Sequence, residues 1–148
     1  MPSKEADIQL FNETDIEVPV DTELISSAAS LISRHENCAF SLLEVVYVDE
    51  EEIVRINSEH LGRDYVTDVI TFRYHDSADE DIQGTIFCCA PRICEQAKEF
   101  NQKKEVEYAR ILIHGLLHLA GYEDGSPEDK KRMTAREDHY LQFIFGAR

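Results

Sequence analysis

A single α/β domain spanning residues 1–148, α+β in stricter terms, is the fold this sequence predicts, with a sheet of about four strands, about five helices and one buried helix at its centre. Three observations lead there. The chain has 148 residues, enough for one substantial core and too few for two comfortable ones. Strand-like apolar runs alternate with helical periodicity in the first two thirds, and helical segments crowd the last third. Hydrophobic residues make up 43% and charged residues 30%, a balance that excludes a mainly disordered chain.

The elements follow in order. "IQLFNE" (8–13) predicts a short strand. "TELISSAASLISRH" (22–35) carries Leu24, Ile25, Ala28, Leu31 and Ile32 at helical spacing and predicts an amphipathic helix. "SLLEVVYV" (41–48), apolar and β-branched, suits a central strand. "DEEEIVRINSEHL" opens with acids, which favour a helix N-terminus. "DVITF" (68–72) and "GTIFCC" (84–89) predict two further strands joined by a polar segment. Within that segment Asp79, Glu80 and Asp81 read as a solvated loop before a cation site, since no EF-hand spacing surrounds them. Pro91 suits the first turn of a helix reaching about Asn101. Helices over 105–120 and after Ser126-Pro127 complete the chain.

Composition narrows the function classes. Met1-Pro2-Ser3-Lys4 leads into acidic sequence without an apolar signal core, and no run approaches the ~18–20 apolar residues of a membrane span. A cytoplasmic location with no membrane association is the expectation. Cys38, Cys88, Cys89 and Cys94 form no CxxC pair. Adjacent cysteines on a strand point to opposite faces, so buried free thiols are expected rather than a zinc site. The formal charge of -15 argues against indiscriminate RNA binding, because phosphate affinity comes largely from Lys and Arg. The acidity is concentrated in the first sixty residues, so an anionic ligand is expected to meet the second part of the chain.

The chemistry concentrates in "HGLLHLAGYED" (114–124). On a wheel of about 100° per residue, Glu107, Arg110 and His118 all fall within about 40° of His114, a narrow polar stripe on an otherwise apolar helix. Such a helix is buried, and its stripe must face a cleft or polar partners. Histidines at i and i+4 share one face at a separation a single metal ion can bridge. Gly121 stands where a helix-terminating glycine belongs, and three residues on Asp124 can turn back over the last turn. The spacing H-x3-H-x5-D is one by which a third ligand is recruited after a glycine turn. Asp124 also has a plainer role open to it, bonding its own backbone in an interhelical turn, and His139 and Glu123 are alternative third ligands. Gly115 occupies the position of the glutamate base in an HExxH peptidase, which disfavours that chemistry; a close approach of backbone or substrate and a simple packing contact are both open.

These residues resemble a known family. "HGLLHLAGYED" resembles HGxLHLxGYDH, the signature of the YbeY family of bacterial rRNA maturation factors, and "INSEHLGRDYVTDVITF" (56–72) resembles that family's second block, LNxxYRxKDxPTDVLSF. The resemblance implies a single-domain metalloprotein with one Zn2+ per chain, acting as a single-strand endoribonuclease in rRNA 3′-end processing and small-subunit maturation. By motif position it implies His114 and His118 as metal ligands and places Asp124 at the third histidine. A His2Asp set would leave a zinc site at net +1 rather than +2 and acidify a bound water less. The family arginine falls on Leu61, and Arg63 stands at the lysine position two residues on; Arg63 is therefore a candidate for steadying phosphate charge, or a solvated loop arginine. Thr67 and Asp68 match the block and read as caps at a strand start, while Thr85 replaces an aspartate.

The implied partners are single-stranded rRNA and the small ribosomal subunit. Arg63, Arg73, Arg92 and Arg110 are the candidate phosphate contacts, each with a plain surface charge as the alternative, and exposed aromatics near the helix are the candidate stacking surfaces. The competing class is a non-catalytic ribosome-assembly factor with a weak or structural metal, docking by its acidity on a basic ribosomal protein. "KKRM" (130–133) with Arg136 is a short basic cluster, read as a solvated helix face before an RNA contact.

Overall fold

The computed structural model describes residues 6–75 and 81–146. Their elements run β1 (Asp7–Asn12), α1 (Thr22–Glu36), β2 (Phe40–Val48), α2 (Glu50–Leu61), β3 (Val69–Arg73), β4 (Ile82–Cys89), α3 (Ala90–Glu99), α4 (Lys104–Leu119) and α5 (Pro127–Phe145). This is the expected order, in one domain with a four-stranded sheet ordered β1-β2-β4-β3. β1, β2 and β4 run parallel, and β3 pairs antiparallel with β4.

Local chemistry sets the helix ends. Asp21 and Asp49 cap α1 and α2 by accepting from the amides of Leu24 (2.8 Å) and Glu52 (2.9 Å). α2 stops where Gly62 takes the left-handed conformation, φ 65°. α3 ends at Glu99, two residues before the expected limit, because Asn101 turns left-handed (φ 53°) and the Gln102 amide closes back on the Ala97 carbonyl. β4 begins at Ile82, earlier than its sequence pattern suggests, since the Ile82 amide pairs with the Ala39 carbonyl beside β2.

The sheet separates two apolar clusters. Leu43, Val45, Tyr47, Ile86 and Cys88 pack with α1, α3, α4 and α5, while Val46, Val48, Ile70 and Cys89 pack with Ile53 and Ile56 of α2. The adjacent cysteines therefore do face opposite ways, and all four thiols are free. α4 is the central helix, touching α1, α3, α5, β3 and β4. Gly115 lets it lie tight on the sheet: a Cβ there would stand 2.9 Å from Ile86 Cγ2. Packing, rather than a substrate, accounts for that glycine.

Met1-Pro2-Ser3-Lys4 and the acidic residues Asp79 and Glu80 lie outside the described residues. Among the described residues, no helix is long and apolar enough to cross a membrane.

Candidate metal centre

α4 ends in a tight reversal. The Gly121 amide (φ 110°) donates to the His118 carbonyl and the Tyr122 amide to the Leu117 carbonyl, the paired bonds of a Schellman turn. Four residues later Ser126 caps α5 through the Asp129 amide at 3.1 Å. Between these fixed points Tyr122 donates to Glu36 at 2.6 Å, anchoring the loop to the end of α1. Glu36 also accepts from Arg136 and Tyr140 of α5. Burial alone would raise its pKa, but these bonds outweigh it and hold the carboxyl below its usual range.

The loop so held delivers Asp124 to the histidines. Its Oδ2 lies 3.4 Å from Nε2 of His114 and 3.4 Å from Nε2 of His118. The imidazoles meet edge to face, with centroids 4.6 Å apart, and one ligand atom from each residue falls within 4.8 Å of the others. Ligands arranged tetrahedrally about zinc at about 2.0–2.1 Å stand roughly 3.3 Å from one another, so the spacing suits a metal better than a direct hydrogen bond. Two imidazoles and a carboxylate are also a donor set zinc accepts. The residues present fit such an ion.

The ring orientation has a cause that the sequence did not reveal. His114 Nδ1 donates to Glu137 Oε2 at 2.7 Å, so in the neutral ring Nε2, on the Asp124 side, is the nitrogen free to ligate. Glu137 is buried on α5, and its other oxygen accepts from Arg110 at 2.9 Å. Arg110 in turn reaches Asp138 at 2.7 Å. Burial pulls the His114 pKa down, but the Glu137 bond and the charges of Glu137, Asp68 and Asp124 outweigh it, so the net shift is upward. The remaining member of the polar stripe, Glu107, is buried; desolvation raises its pKa, and it accepts from Gln96 at 3.1 Å.

The cluster opens into a cleft of about 290 Å³ that Asn57, Leu61, Arg63, Tyr65, Thr67 and Asp68 also line. Thr67 and Asp68 thus face the cleft, and their side chains approach only to 3.5 Å of each other. A larger hollow of about 610 Å³ between the start of α4 and the end of α5 contains none of the three candidate ligands. Among the described residues no other group of three or more His, Cys, Asp or Glu side chains converges in this way.

Several sequence candidates lie elsewhere. His139 faces α1, with Nε2 3.1 Å from His35 Nδ1, and Glu123 borders a separate hollow with Asp129 and Arg132. Neither joins the cluster. Arg73 donates to the Leu119 carbonyl, Arg92 is paired with Glu95 and Glu99, and Arg110 with Glu137 and Asp138. Of the four candidate phosphate contacts only Arg63 lines the cleft. Arg136 of the basic cluster is committed to Glu36. Thr85 hydrogen-bonds Glu44 (3.1 Å) and the Tyr74 hydroxyl and does not line the cleft.

Fold and site together define a class: a small α/β domain whose buried central helix presents a His-His-carboxylate cluster to an open polar cleft. Comparison with known proteins makes the assignment specific. The family model described as endoribonuclease YbeY matches residues 7–144, nearly the whole chain, and the chain belongs to the YbeY family. Among its curated relatives, endoribonuclease YbeY of Chlorobium luteolum is 38% identical over 138 residues, 93% of this chain and 98% of that protein. The same-named protein of Chlorobaculum tepidum is 37% identical, covering 90% and 95%. A solution structure of a Thermotoga maritima protein matches with a TM-score of 0.64 at 30% identity, over 94% of this chain and 89% of that one.

Proposed function

We propose that this protein is a metal-dependent endoribonuclease that cuts single-stranded RNA, with zinc held by His114, His118 and Asp124, and that it acts in the cytoplasm on rRNA 3′ ends during small-subunit maturation. The observation that carries the reading is the convergence of those three side chains at metal-ligand spacing, in a chain whose relatives are named endoribonucleases. When bound, the metal supplies Lewis-acid polarisation of the phosphodiester and of an attacking oxygen.

The protein's own groups do the rest. Glu137 keeps the His114 proton on Nδ1 and so fixes which nitrogen faces the cleft. Arg63 lines the cleft, and its role in this reading is to meet a non-bridging phosphate oxygen and neutralise charge that grows there. Asp68 is the cleft carboxylate outside the ligand cluster, and its role in this reading is to accept a proton from the attacking oxygen. Asp68 and Asp124 outnumber Arg63 among the formal charges of the cleft, so His114, His118 and Asp124 would favour phosphate entry by holding a divalent cation there.

The test is cleavage of a labelled single-stranded RNA by rigorously repurified protein, with and without added zinc, beside His118→Ala and Asp124→Ala. Metal-dependent cleavage lost in both variants supports the reading. Binding to small ribosomal subunits without cleavage under any metal condition refutes it and favours a docking role.

A further inference from the structure

Two of the large apolar side chains exposed to solvent, Leu61 at 46% and Tyr65 at 52%, line the same cleft as His114, His118 and Asp124. A solitary exposed tyrosine on a loop is ordinary. This one differs in three respects. It shares a cleft with the candidate ligands, and Arg63, two residues before it, lines that cleft too. Its backbone is also held in place: Asn57, only 1% exposed, donates from Nδ2 to the Tyr65 carbonyl at 3.0 Å, and its own carbonyl accepts from the Arg63 amide at 3.2 Å. Finally, Leu61 closes α2 and Gly62 turns left-handed immediately after it, so the lip begins on a fixed helix end.

The lip therefore presents an apolar side chain, a cation and an aromatic ring over five residues of constrained backbone. An unpaired nucleotide has the matching features, a phosphate for the cation and a flat π-face for the ring. A base inside a duplex has both faces already stacked and cannot use such a ring without being extruded. We propose that Tyr65, flanked by Leu61, is the stacking platform for one unpaired nucleobase beside the phosphate that Arg63 contacts. This rests on the endoribonuclease reading above and adds to it the residue by which the cleft selects single strands. Stacking accepts any base, so the platform confers preference for strandedness rather than for sequence.

The test measures binding by fluorescence anisotropy of a labelled, uncleavable 2′-O-methyl RNA ten-mer to zinc-supplemented protein, comparing wild type with Tyr65→Ala and Tyr65→Phe. Melting temperature and zinc content are checked for each. The platform predicts binding about fivefold to a hundredfold weaker for Tyr65→Ala and within about twofold of wild type for Tyr65→Phe. It also predicts that an abasic nucleotide placed along the ten-mer weakens wild type at one position and costs Tyr65→Ala nothing further there. If wild type binds while folded, zinc-loaded Tyr65→Ala binds equally well, the platform is refuted and the endoribonuclease reading stands. If wild type neither binds the ten-mer nor cleaves the corresponding single-stranded RNA, the reading itself fails and the platform with it.

Discussion

Replacing Glu137 by glutamine is the perturbation that most sharply separates a built metal site from a chance meeting of histidines. The carboxylate accepts twice, from His114 Nδ1 at 2.7 Å and from Arg110 at 2.9 Å. An amide has one oxygen, so it can satisfy only one of these donors. If the oxygen turns to Arg110, the amide NH2 faces Nδ1, and the imidazole must carry its proton on Nε2, where it cannot ligate. If it turns to His114, the NH2 confronts the guanidinium. Loss of a carboxylate behind a ligating histidine costs about 10–100-fold in metal affinity. Stability falls less than it would for an isolated buried charge, about 1–3 kcal/mol, because Arg110 keeps Asp138 at 2.7 Å. The assay is chelator competition for zinc at neutral pH on variants whose melting shows them folded. Asp138→Asn, which touches Arg110 but not His114, is the control and should bind zinc within about twofold of wild type. Folded Glu137→Gln binding zinc as tightly as wild type would refute the reasoning.

Three further outcomes follow from the same geometry. The raised His114 pKa means that protons compete for the site at a higher pH than for a free imidazole, so zinc affinity should begin to fall while the pH is still above 6.5, as chelator titrations across pH would show; affinity flat down to pH 6 would contradict this. Glu36 has a folded pKa below 4.5, so its stabilising contribution is complete above that value and is lost as the pH falls through the lower, folded one. Glu36→Gln should therefore cost about 1–3 kcal/mol at pH 7, lower the melting temperature by several degrees and flatten the acid limb of the stability curve; an acid limb as steep as that of wild type would count against it. Gly115→Ala gains about 1 kcal/mol of helix propensity but forces a methyl to 2.9 Å from the buried Ile86 Cγ2, an overpacking cost of about 1–3 kcal/mol. A net loss of melting temperature is expected, and a rise would show that α4 can lift off the sheet freely.

What the sequence made legible was whatever its signals encode within a few residues. The order of elements followed from periodicity, and the starts of α2 and α5 from the acids that open at Asp49 and from Ser126, whose side chains, like that of Asp21 at α1, cap amides three residues on. The candidate ligands were legible for the same reason, since His114, His118, the Gly121 turn and Asp124 occupy eleven consecutive residues. Partners brought together by packing were not. Glu137 meets His114 only because α5 lies against α4, and Glu36 meets Tyr122 across 86 residues of chain. The spacing of Met133, Tyr140 and Leu141 does put Glu137, alone among the acids of α5, on the buried face, but nothing local says that His114 is what it meets there. Counting arginines misled for a related reason: a guanidinium is available to phosphate only if no carboxylate already holds it. For Arg92 the competing acids, Glu95 and Glu99, were visible on its own helix. For Arg110 the acids came from α5.

The most direct measurement of the central claim is zinc binding and single-stranded RNA cleavage measured together on the same preparations of wild type, His118→Ala and Asp124→Ala. The account predicts about one zinc per wild-type chain, metal-dependent cleavage, and loss of both properties in each folded variant. Cleavage that persists in a variant shown to hold no zinc would contradict it.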